Sequence, residues 1–262
     1  MKLFDSHAHY YDKKFDEYPG GSDGAIADAF AAGVCGFLCA GTRPETTRAA
    51  IAIAESYPNV FASSGLHPQD SGAYTREQLP AVLSEIETLC SHPKVVAIGE
   101  IGLDYYWDTD RAVQKKAFDA QLSMAEAMGL PVIIHDRDAH GDTMDILRAH
   151  RGVTGVLHCY SGSAEMAKEY AKMGWYLSFG GPLTYKTAEK VRDACRAAPH
   201  DRLLIETDCP YLSPVPHRGK INTSARMIHT LEMMAQCIER TSEETAELTL
   251  ENACRLFQIS IS

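Results

Sequence analysis

Short apolar runs recur along the chain at fairly even intervals. They occupy residues 2–5, 34–39, 60–65, 94–99, 131–134, 153–158, 175–179 and 202–206. Each is four to six residues long and rich in Val, Ile, Leu or Phe, as a strand buried on both faces should be. Helical spacing fills the stretches between. Thr75-Arg76-Glu77-Gln78 reads as a capping box for a helix that sets Leu79, Leu83, Ile86 and Cys90 on one face, with Pro80 in its first turn. Asp110 caps a helix striped by Val113, Ala117, Phe118, Leu122 and Ala125, which Gly129 stops and Pro131 follows. A second box, Thr241 to Glu244, opens a last helix through Leu248 and Leu256.

Strands alternating with helices, without a linker-like stretch, predict an α/β fold with parallel strands and helical crossovers. A doubly wound open sheet alternates in the same way. The count of eight, and the placing of polar residues just after the runs, favour a single (β/α)₈ TIM barrel over residues 1–262. In such a barrel those polar positions converge on the C-terminal face of the strands.

Composition narrows the classes. Of the 262 residues, 45 % are hydrophobic and 23 % charged, which excludes a disordered or collagen-like chain. The net charge of −10 argues against processive binding along duplex DNA, where phosphate neutralisation dominates. Eight cysteines include no Cys-x-x-Cys pair, so they read as thiols in a reducing cytosol. Asp5 and His7 leave no apolar leader at the start, and no run approaches the ~18 residues of a membrane span. The expectation is a cytoplasmic protein with no membrane and no obligate protein partner.

The polar residues at the run ends carry the chemistry. His7 and His9 are two apart, so a strand presents both imidazoles to one side. Glu100 follows Val95-Val96-Ala97-Ile98, His135 follows Pro131 to Ile134, His158 follows Gly155 to Leu157, and Asp208 follows the last run. Taken singly, each is readily a satisfied core or rim residue. Together they are six metal-competent side chains at the ends of strands 1, 4, 5, 6 and 8. Six ligands exceed one tetrahedral ion and suit two divalent ions sharing a carboxylate, for which Glu100, on a middle strand, is the natural bridge. Asp208 can ligate one ion and accept the proton of an attacking water.

The strings His7-Ala8-His9, Gly65-Leu66-His67-Pro68, Gly99 to Tyr105, Ile133 to Asp138, His158 to Gly162 and Glu206 to Tyr211 closely resemble the TatD family of metal-dependent deoxyribonucleases, within the amidohydrolase-like barrels. The resemblance runs from residue 3 to about residue 257, with the six blocks in family order. It implies that His7, His9, Glu100 and Asp208 hold one ion and that Glu100, His135 and His158 hold the other. It also implies phosphodiester hydrolysis at DNA ends, of the 3′–5′ exonuclease type, supported by magnesium or manganese, with zinc also bound by several members. The partner implied is a nucleic acid end, single-stranded or short. Two positions depart from the family strings: Gln69 stands where a second histidine is usual, and Ile221 where an arginine is usual.

Around this set, His67 reads as a phosphate or metal neighbour or as a turn residue. Arg137 reads as a phosphate donor or as an ion-pair partner of Asp136 or Asp138. Arg218 and Lys220 are cations beside the mouth. Tyr105, Tyr106 and Trp107 read as packing over the barrel top in preference to base stacking. Two other functions compete. One is an amidohydrolase-type esterase or amidase, such as an aminoacyl-ester deacylase on RNA. The other is a metal-holding protein without catalysis. Many binuclear amidase barrels of this class carry a modified lysine as the bridge, and the glutamate here tilts against the former.

Overall fold

The computed structural model describes residues 1–75 and 77–261. Eight strands run parallel in one sheet in chain order: β1 (Leu3–Ala8), β2 (Val34–Ala40), β3 (Val60–Ser64), β4 (Val95–Asp104), β5 (Val132–Arg137), β6 (Gly155–Leu157), β7 (Tyr176–Phe179) and β8 (Leu203–Ile205). Helices lie between successive strands and after the last: α1 (Gly21–Ala31), α2 (Pro44–Glu55), α3 (Pro68–Ser71), α4 (Leu79–Cys90), α5 (Arg111–Met128), α6 (His140–Ala149), α7 (Ala164–Lys172), α8 (Glu189–Ala197), α9 (Met227–Cys237) and α10 (Ser242–Phe257). This is the (β/α)₈ barrel that the run count predicts.

The barrel closes where β1 meets β8. Ala8 bridges Cys209. His9 N–H donates to Cys209 O at 2.8 Å, and Asp208 N–H to His7 O at 2.9 Å. Buried Asp5 ties the seam from within: it accepts from the Thr207 amide at 2.9 Å and from the Ser224 hydroxyl at 2.6 Å. Every strand sends at least one apolar side chain into a common cluster, among them Phe4, Leu38, Phe61, Ala97, Ile133, Val156, Tyr176 and Leu204. Ala253, Leu256 and Phe257 of α10 join that cluster, so the last helix plugs the barrel at this end. A larger apolar layer lies outside, between strands and helices, with Phe118, Leu122, Trp175 and Leu231 among its members. The plugged end leaves the opposite, C-terminal mouth for polar residues.

Three strands overrun their apolar stretches. β1 continues to Ala8, β5 to Arg137, and β4 through Glu100 to Asp104. Glu100 therefore sits within a strand rather than at its exit. The pairing of β4 with β5 shifts register between Ile98 and Ile101, and the strand runs on past that irregularity. Gly102 has φ +137° there, and a Cβ would strike the His135 carbonyl, so only glycine permits this approach of β4 to β5.

α4 starts at Leu79, later than the expected capping box places it. Thr75 N–H still donates to Gln78 Oε1, and Gln78 N–H to Thr75 Oγ1, so the reciprocal bonds close a turn ahead of the helix. Arg76, inside that box, lies outside the described residues. The expected cap at Asp110 and the box at Thr241 and Glu244 are both formed.

Candidate metal centre

Six strand-end side chains meet at the mouth, and Glu100 stands at their centre. Its Oε2 lies 3.2 Å from His7 Nε2 and 3.6 Å from His9 Nε2. Its Oε1 lies 2.9 Å from His135 Nδ1 and 2.8 Å from His158 Nε2. Asp208 Oδ1 closes the first group, at 3.3 Å from His9 Nε2 and 3.8 Å from His7 Nε2. The two groups are continuous, because the His7 and His158 rings stack at 4.0 Å between centroids. The backbone of Asp208 is left-handed (φ 56°), a conformation that aspartate tolerates better than most side chains and that is common where a structure holds a functional group in place.

The partners of the far ring nitrogens decide which atom of each imidazole can bind an ion. His9 Nδ1–H donates to Ala40 O at 3.0 Å, which leaves Nε2 as a lone pair facing Glu100 and Asp208. His135 Nε2–H donates to Asp104 Oδ2 at 3.0 Å, which leaves Nδ1 facing Glu100. His158 Nδ1 points toward Glu206 Oε1 at 3.5 Å, and Nε2 faces Glu100. For His9 and His135 these tautomers follow from the hydrogen-bond partners. They are the arrangement by which a carboxylate or carbonyl orients a metal-bound histidine.

His67 turns its protonated nitrogen inward. Its Nδ1 accepts from Gln69 N–H at 3.2 Å, so the proton sits on Nε2, 3.3 Å from Glu100 Oε1. It is a hydrogen-bond donor aimed into the site, whereas His9 and His135 offer lone pairs there.

Electrostatics follow the same geometry. Burial alone would push the Glu100 carboxyl up, but His158, His67 and His7 hold it well below the usual range. Burial likewise opposes ionisation of Asp208, and the His9 hydrogen bond together with the His9, His7 and His158 imidazoles outweighs it. Burial lowers the His7 imidazole, helped by neighbouring His158. Asp104 is held at about 2, against burial, by its bonds from His135 and Gln69.

The residues present fit divalent cations. An ionised carboxylate only accepts, so the lone pairs of His9 Nε2 and His135 Nδ1 that face Glu100 have no proton between them and it, and a cation would relieve that opposition. His7 Nε2 and His9 Nε2 also lie 3.0 Å apart, close for two nitrogens that both face the carboxylates. His7 with His9 and Glu100 forms a group compact enough to hold an ion, and His135 and Glu100 lie equally close to His67, which turns its N–H inward. A third such group, His7, His158 and Glu206, lies alongside.

All six expected ligands thus converge. Three contributors had no assigned role in the sequence reading. Asp104 orients His135, Glu206 faces His158, and Gln69 donates its amide to Asp104 Oδ2 at 2.9 Å. Glu206 is two residues from Asp208, and strand-like alternation could have placed both on one side. Ile221, the other departure, is partly buried against the cluster of Ala8, Tyr10 and Phe37 and is a packing residue.

The expected substrate contacts divide. Arg137 is exposed, with its guanidinium 3.8 Å from the Tyr106 ring centroid. The ion pair considered for it is not formed: Asp136 pairs with His140 at 2.8 Å instead. Arg218 lies over Tyr185 at 3.8 Å, and Lys220 is exposed in the same loop. The aromatic cluster packs only in part. Tyr105 is half-buried, its hydroxyl on Asp142 at 2.5 Å. Tyr106 and Trp107 are not packed over the barrel: 57 % and 51 % of their surfaces face solvent. No helix among the described residues is long and apolar enough to cross a membrane.

A family model described as TatD related DNase matches residues 4–258. The chain is 44 % identical over 262 residues to an "uncharacterized metal-dependent hydrolase YabD" of Bacillus subtilis, covering 98 % of this chain and all of that one. It is 34 % identical over 248 residues to a "3′-5′ ssDNA/RNA exonuclease TatD" of Enterobacter lignolyticus, covering 91 % and 94 % of the two chains. The crystal structure of YJJV, a TatD homologue from Escherichia coli, superposes with a TM-score of 0.90 at 28 % identity, covering 98 % of each chain.

Proposed function

The chain belongs to the TatD-related DNase family, and on that premise we propose that it is a metal-dependent hydrolase that removes nucleotides from DNA ends, from the 3′ side. The observation that carries this reading is the Glu100 carboxylate, each oxygen of which faces its own set of nitrogens. A carboxylate so placed would hold a divalent ion with each oxygen, and such ions would supply the charge that enzymes displacing phosphate esters use. Asp208 completes one side and His135 with His158 the other. Divalent ions bound there would supply the positive charge that acidifies the attacking water and neutralises the phosphate oxygens. The nitrogen-rich donor set suits manganese or zinc, whereas magnesium prefers oxygen ligands and retained waters.

The chain's own residues then divide the remaining work. Asp208, whose side chain is 15 % exposed, takes the proton of the attacking water. His67 donates its Nε2–H toward a phosphate oxygen, because Gln69 N–H fixes the proton on that nitrogen. Arg137 and Arg218, on the strand 5 and strand 8 sides of the mouth, offer charge to flanking phosphates. Only a few cations border the mouth of a chain with net charge −10, which favours an end or a short strand over a long duplex tract.

The test is product release from end-labelled single-stranded DNA, RNA and an aminoacyl-ester RNA, with manganese, magnesium and zinc in turn. Mononucleotides released stepwise from the 3′ end are expected. Ester hydrolysis without phosphodiester cleavage under any metal would overturn the reading in favour of a deacylase.

A further inference from the structure

Among the described residues, the exposed large apolar side chains are Met1, Tyr106, Trp107, Tyr211, Leu212 and Val215. All except the first residue lie in the two loops that follow β4 and β8. Those loops stand on opposite sides of the mouth, since strands 4 and 8 are half a barrel apart. Scattered exposed apolar residues need no explanation, but a concentration beside a polar cluster points to a ligand.

Tyr106 and Trp107 are the most exposed of the five and touch each other edge to face, with centroids 5.1 Å apart and planes at 87°. That crossing leaves ring faces open. Asp104 anchors the pair to the metal centre: its Oδ1 accepts the Tyr106 amide at 3.0 Å, while Oδ2 accepts His135. Arg137, two residues past His135, covers Tyr106 and has no carboxylate within ion-pair distance among the described residues. An aromatic face beside an unneutralised guanidinium is complementary to a nucleotide, whose base stacks and whose phosphate takes the charge. Behind the same loop is a cleft of about 430 Å³ whose lining includes Asp108 and Asp110, and these would repel a phosphate backbone. The strand is thereby directed to the Arg137 side. Across the mouth the pairing recurs, with Lys14 Nζ 4.0 Å from the Tyr211 centroid and Tyr211 6.5 Å from His9.

We propose that Tyr106 and Trp107, with Arg137, form a stacking platform for an unpaired base of a single strand whose end lies in the metal centre. The proposal rests on the nuclease reading and specifies which surface of that site selects unpaired bases. It also gives a structural reason for a preference for frayed or single-stranded ends, because a base inside a duplex offers no free face to a side chain.

Trp107 makes the test direct. It is one of two tryptophans, and the other, Trp175, is 1 % exposed. The metal-loaded protein is mixed in a stopped-flow instrument with a thymidine hexanucleotide, and in parallel with an abasic hexamer of the same backbone. Rapid quenching by the thymidine strand only, absent in Trp107→Phe, is expected. Equal quenching by both strands, or none by either, would overturn the platform. This readout requires no turnover, so it decides the platform even if the nuclease reading fails. In the kinetic arm, Trp107→Ala should raise KM for the thymidine strand roughly tenfold, the fold-change that ~1.4 kcal/mol of stacking corresponds to. Trp107→Phe should stay within about threefold of the parent, since a ring remains to stack on. An unchanged KM in Trp107→Ala, or an equal rise in both variants, would contradict the proposal.

Discussion

Asp104 offers the sharpest single perturbation, because it touches one half of the site and not the other. Its Oδ2 accepts the proton of His135 Nε2 at 3.0 Å, which turns the ring with Nδ1 toward Glu100. The Asp104 carboxyl is held at about 2 against an ordinary 3.8, with His135 leading the bonds that work against burial. At ~1.36 kcal/mol per tenfold this net difference is on the order of 2 kcal/mol. Loss of a partner that orients a metal-bound histidine typically costs about 10- to 100-fold, which is the same scale. Asp104→Ala should therefore weaken the ion on the Glu100 Oε1 side about tenfold and leave the ion beside His7 and His9 within twofold. Asp104→Asn keeps an acceptor oxygen and should lose less. Competition against a chromogenic chelator, with circular dichroism to confirm folding, reads both constants. Equal losses at both ions, or none at either, would refute the reasoning.

Three other outcomes follow from the same geometry. Asp208→Asn should lower kcat by at least ~10² with KM much less changed, and turnover at the parent rate in the metal-loaded variant would assign the base elsewhere. Burial pushes the Asp5 carboxyl up to about 7, with the Ser224 and Thr207 hydroxyls pulling it partly back. The folded chain therefore keeps a proton that the unfolded chain releases near 3.8, so this contribution to stability is full below about pH 4 and lost as pH rises through 7. Urea unfolding across that window should show the slope in the parent and its absence in Asp5→Asn; identical slopes would place the titration elsewhere. Binding to single strands should fall with salt as two or three contacts at roughly 0.7 each would require, and anisotropy titrations giving a much steeper slope would reveal a wider basic surface.

The barrel was legible because its strands are covered on both faces and so read as unbroken apolar runs. The six candidate ligands were legible because each follows, or closely borders, such a run. Asp104 was not, because nothing in the sequence shows that β4 continues past Glu100; that depends on the register shift against β5 and on Gly102 beside the His135 carbonyl. Gln69 registered only as a departure from the family strings. Its use, a hydrogen bond to Asp104 across 35 positions, is a tertiary fact. Tyr106 and Trp107 were read as packing because aromatic residues usually bury, and only the path of the loop after β4 leaves them in solvent. The late start of α4 shows that a capping box fixes a turn more reliably than a helix origin.

In the proposed site Glu100 bridges two ions, one between His7, His9 and Asp208 and one between His135 and His158. Anomalous scattering from crystals loaded with manganese would locate them. Two peaks per chain are expected, about 3.5–4 Å apart, on either side of the Glu100 carboxylate, and both should weaken together in Glu100→Gln. A single peak gathering all six ligands, or two peaks that persist at full height in Glu100→Gln, would contradict that bridge.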